Sequence, residues 1–90
     1  MNKLDAKKRI EQLKKDIESI KMQAESTFKS RINIIESAKK NLASANASHK
    51  ASAKAQLEQR KKELVVHKEH VKKLIESKKK DIEKVKNSVS

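Results

Sequence analysis

Glycine, proline, cysteine, tryptophan and tyrosine are absent from this 90-residue chain, and Phe28 is its single aromatic residue. Without glycine and proline the chain lacks the residues on which tight turns, bulges and abrupt helix stops usually depend. The same absence removes any Gly-rich loop to cradle a nucleotide and any Gly-bearing elbow to set a nucleophilic serine beside oxyanion donors. Without cysteine there is neither a disulfide nor thiolate chemistry, which suits a reducing compartment. Hydrophobic residues make up only 34% of the chain, too few for the core of a β-sandwich or an α/β domain. No apolar run approaches the roughly 20 residues of a membrane span. The opening MNKLDAKKRI carries charge but no apolar signal region, so a cytoplasmic protein is expected.

What the chain has in quantity is charge and helix propensity. Lysine and arginine number 24 against 12 acidic residues, a formal net charge of +12 that biases the protein toward polyanions: nucleic acid, an anionic membrane or an acidic protein. A charged fraction of 40% and a mean hydropathy of -0.94 would by themselves suit a disordered chain. Periodicity argues otherwise. From Ile10 the apolar residues run Ile10, Leu13, Ile17, Ile20 and Ala24, alternating three and four apart as in a coiled-coil seam. The stripe continues through Phe28, Ile32, Ile35 and Leu42. It resumes at Leu57, Leu64, Val71 and Ile75, then Lys78 in a seam position, then Ile82, Val85 and Val89.

The expected fold is therefore all-α: an antiparallel coiled-coil helical hairpin forming one unit over residues 1–90. Arm one covers about 4–45, an Ala/Ser-rich centre 44–52, and arm two about 53–89. Ile10 with Val89, Ile17 with Ile82, Ala24 with Ile75, Phe28 with Val71, Ile35 with Leu64 and Leu42 with Leu57 form a mirror whose residue numbers add to 99. Leu13 with Val85 misses by one residue, and Ile20 meets Lys78. In the centre, Asn46 is the expected C-terminal cap of arm one, and Ser48 or Ser52 the N-cap of arm two. The alternative is one continuous helix in an antiparallel homodimer, since alanine is the best helix former and the same seam contacts would result.

A two-helix hairpin burying one narrow seam sets a small apolar area against a backbone ordering cost of roughly 1–2 kcal/mol per residue, so a homo-oligomer or a partner is expected. The apolar surface widens at Phe28, Ile32, Ile34 and Ile35 on arm one and Leu64, Val65 and Val66 on arm two, which marks these residues as a protein interface. Glu-to-Lys pairs four apart, such as Glu11 to Lys15, Glu25 to Lys29, Glu36 to Lys40 and Glu58 to Lys62, account for most of the acidic residues as helix-surface support. The excess is lysine. Lys7, Lys14 and Lys21 recur every seven residues on arm one, as do Lys72, Lys79 and Lys86 on arm two. All occupy the e position beside the seam, and in an antiparallel pair the two e rows share a flank. The other flank carries Asp16, Gln23, Asp81 and Ser88.

These six lysines are the expected polyanion-binding residues, with nucleic-acid backbone as the target. Arg9, Arg31 and Arg60 are the chain's only guanidinium forks, and no aromatic pair exists to stack bases, so sequence-specific readout is not expected. The competing expectation is a protein-directed scaffold, adaptor or inhibitor engaging an acidic surface. Glu63, His67 and His70 share one helix face and are a weak candidate for a metal, lacking the spacing of the zinc-protease motif. His49 reads as a polar turn residue. No catalytic residue, cofactor or small-molecule substrate is expected.

Overall fold

The computed structural model describes residues 2–89. Two α-helices pack against each other in an antiparallel hairpin, with no strand among the described residues. α1 runs Lys3–Ser44 and α2 runs Lys50–Asn87. The alternative of one continuous helix is thereby set aside, because the chain leaves helical geometry over 45–49.

Each helix end is closed by a short polar side chain. The Asn2 side chain accepts a hydrogen bond from the Asp5 amide at 2.8 Å, capping the first turn of α1, where Asp5 also complements the positive end of the helix dipole. At the other end the Ser44 hydroxyl donates to the Lys40 carbonyl at 3.1 Å, and the Ala45 amide reaches back to the Leu42 carbonyl at 3.3 Å. The roles expected of the central residues are corrected here. Asn46 does not end α1 in a left-handed conformation, since no described residue has positive φ. It instead leads into α2: its Oδ1 accepts from the His49 amide at 3.2 Å and from the Ser48 hydroxyl at 2.7 Å. Ser52 lies inside α2 and makes no start. α2 closes with the Ser88 hydroxyl donating to the Val85 carbonyl at 2.9 Å, and Lys84 and Lys86 stand in its last turn.

The chain forms two compact units, residues 2–24 with 70–89 and Glu25–Glu69. In the first, Leu13, Ile17 and Ile82 form a buried cluster against which Ile10, Ile75 and Val85 pack. Leu13 is 0% exposed. Lys78, at the seam level of Ile17, turns its amine to Asp16 Oδ2 across the hairpin at 3.7 Å. In the second unit Ile35 and Leu57 are buried. The Phe28 and His67 rings meet edge to face at 5.2 Å, and Arg31 reaches Glu63 at 3.7 Å.

These contacts correct the register. In the first unit the order of buried and half-buried positions sets Ile10 level with Val85 and Leu13 with Ile82, and in the second the Phe28 ring meets His67; these levels add to 95 rather than 99. The difference of four residues is about one helical turn. The turn occupies residues 45–49, with Asn46 at the entry to α2 at Lys50, which places the centre at residues 47 and 48 instead of 49 and 50. The shift also matches Leu13 and Ile20 with aliphatic partners that the mirror at 99 denied them.

Candidate functional site

The lysine rows lie wholly in the first unit, where α1 supplies Lys7, Lys14 and Lys21 and α2 supplies Lys72, Lys79 and Lys86. All six are exposed. Their seven-residue spacing holds each row at a constant angle beside the seam, and in the observed register Lys7 lies within two residues of the level of Lys86, Lys14 of Lys79 and Lys21 of Lys72. Three of them converge. Lys7, Lys14 and Lys86, together with Lys3, line a groove of about 390 Å³ whose other walls are Ala6, Ile10, Glu11 and Val89. Lys21, Lys72 and Lys79 stand outside that groove.

Two members of the rows carry local ion pairs. Lys21 lies 3.9 Å from Glu18 and Lys86 3.6 Å from Glu83, both on exposed helix surface. Such pairs contribute about 0–1 kcal/mol and yield readily to a stronger anion. Among the described residues no carboxylate stands within ion-pair distance of Lys7 or Lys14, which leaves their charge uncompensated. Of the expected pairs four apart, Glu25 to Lys29 forms at 3.3 Å, whereas Glu36 turns to Lys39 at 3.5 Å.

In the second unit the residues read as an interface divide. Ile35 is buried and Phe28 and Leu64 are half-buried, so these three are spent in the hairpin seam. Ile32 (48% exposed), Ile34 (46%), Val65 (61%) and Val66 (68%) remain open to solvent. They do not form one stripe: Ile32 and Ile34 follow each other by two on α1 and flank its seam on opposite sides.

The metal candidate fails on geometry. Glu63 is engaged by Arg60 at 3.2 Å and Arg31 at 3.7 Å, and its carboxyl is held below the usual glutamate range chiefly by the hydrogen bonds from Arg60 and Gln59. His67 turns inward against Phe28, with its Nε2 buried and unpartnered, while His70 is exposed. No three histidine or carboxylate side chains gather as a metal site among the described residues. No helix among them is long and apolar enough to cross a membrane.

The groove brings in residues that the seven-residue lysine pattern does not include: Lys3, Glu11 and above all Ala6. The signal for Ala6 was present, since it lies four residues before Ile10 and so extends the seam by one layer. Comparisons with protein-family models, with curated proteins and with solved structures found no match.

Proposed function

We propose that this chain is a non-enzymatic binding protein whose lysine flank docks on a polyanion, with the backbone of nucleic acid as its target and no dependence on base sequence. The observation that carries the reading is the convergence of Lys3, Lys7, Lys14 and Lys86 around one groove containing a single acidic residue, Glu11. Like charges so gathered repel one another, and a bound row of phosphates relieves that repulsion while releasing counterions from the nucleic acid. The formal +12 of the chain adds a long-range attraction that brings the two together. The absence of cysteine fits a cytoplasmic setting.

Fluorescence anisotropy of a random-sequence DNA duplex at low and moderate salt tests this reading. Binding that weakens steeply with salt and is lost when Lys7, Lys14 and Lys86 are replaced by glutamate is the expected result. Absence of binding at low salt, or binding unchanged in the triple variant, overturns it.

A second reading, a protein-directed scaffold or inhibitor that also self-associates, is favoured by the exposed Ile32, Ile34, Val65 and Val66. Under it Ile34→Asp or Val66→Asp breaks the complex with little effect on helix content, since both side chains already face solvent. Survival of the complex in both variants counts against that surface.

A further inference from the structure

We propose that the groove beside Ile10 binds a single-chain amphiphilic anion, an alkyl carboxylate, with its tail against Ile10 and Val89 and its head among Lys3, Lys7, Lys14 and Lys86. The floor is aliphatic: Ile10 and Val89 are half-buried and open onto the groove of about 390 Å³, while Ala6 beneath them is buried at 3% exposed.

Its walls select the ligand class. A lysine side chain lays an apolar stem along the surface and holds its ammonium in water, so Lys7, Lys14 and Lys86 both lengthen the apolar wall and charge its rim. A bare inorganic anion gains nothing from the aliphatic floor, and a neutral alkane gains nothing from the rim. A monomeric alkyl carboxylate uses both. Each methylene that enters raises affinity about fourfold, and each contact with an exposed lysine about fivefold. Glu11 is the one group in the lining that opposes the head, and four cations outnumber it. This inference uses the floor of the groove and does not depend on nucleic-acid binding, so the two readings fail separately.

The test is a titration of laurate, below its micelle concentration, into the full chain, followed by NMR of the backbone amides and the alanine, isoleucine and valine methyls. Shifts confined to the region of Ala6, Ile10 and Val89 are expected, with octanoate weaker and acetate without effect. Replacing Lys7 and Lys14 together with glutamine lowers laurate affinity at least fivefold, and Val89→Asn, which removes an apolar wall beyond the end of α2, lowers it at least threefold while circular dichroism shows retained helix. Equal shifts from dodecyltrimethylammonium overturn the proposal, because the rim then does not select anions. So does laurate affinity unchanged in the Lys7→Gln/Lys14→Gln variant, whose side chains are exposed and leave the packing intact, or unchanged in Val89→Asn.

Discussion

Replacing Leu13 by alanine removes the most deeply buried side chain of the first unit. Leu13 is 0% exposed and packs in a cluster with Ile17 and Ile82. Losing the burial of its branched end and leaving a cavity among those residues costs about 2–5 kcal/mol. A chain of this length shifts its melting temperature by about 4–8 °C per kcal/mol, so a loss of about 3 kcal/mol lowers the midpoint by about 12–24 °C. A hairpin that begins with marginal stability is then largely unfolded at room temperature. Thermal melts followed by circular dichroism, with urea titrations at matched protein concentration, measure the effect. Val66→Ala is the control, since Val66 is 68% exposed and its truncation stays within about 0.5 kcal/mol. The observed register adds a sharper demand. Leu13 and Ile82 face each other, so the double alanine variant departs from additivity by about 0.5–3 kcal/mol. A Leu13→Ala melt within about 4 °C of the parent protein, or strict additivity with Ile82→Ala, refutes this description of the core.

Three further outcomes follow from individual contacts. Asn46→Ala costs about 1 kcal/mol in urea unfolding by removing the cap before α2, whereas Ser52→Ala, inside that helix, is close to neutral. Asp16 and Lys78 are each about one-third exposed, so a double-mutant cycle returns about 0.2–1 kcal/mol, declining with added salt. Glu63 has a folded-state pKa below its unfolded value, so its contribution is present above the ordinary glutamate range and is lost as pH falls through that range toward the lowered value. Melting temperature measured against pH falls more gently on the acid side in Glu63→Gln than in the parent protein.

The helical arms and the hairpin were legible in the sequence because apolar residues three and four apart leave one buried stripe per helix, and residues 44–52 hold no large apolar side chain. The register was not. Sliding one helix past the other by a turn moves every seam residue to another seam residue, as when Phe28 exchanges Val71 for His67, and the stripe looks the same before and after. The observed register follows a turn capped by Asn46 and brings Asp16 to Lys78 and Arg31 to Glu63 across the hairpin, contacts that periodicity alone does not weigh. The lysine rows were legible from their spacing of seven. Their convergence on a groove was hidden, because it depends on which residues of the return helix, Lys86 and Val89, come to lie beside Lys3, Lys7, Lys14 and Ile10. The histidine cluster misled for a related reason. Spacing on one helix put Glu63 and His67 together, but the partner helix supplies Phe28 and Arg31, which take up both.

The most direct test of the lysine flank as a phosphate-binding surface is the slope of log affinity for a DNA duplex against log salt concentration, compared between the parent chain and the Lys7→Gln/Lys14→Gln/Lys86→Gln variant. Each phosphate contact contributes about 0.9 to that slope, so the variant's slope is shallower by about 2.7 and its affinity at low salt is lower whatever the duplex sequence. Equal slopes for the two proteins, or no binding by the parent chain at about 50 mM salt, contradict the account.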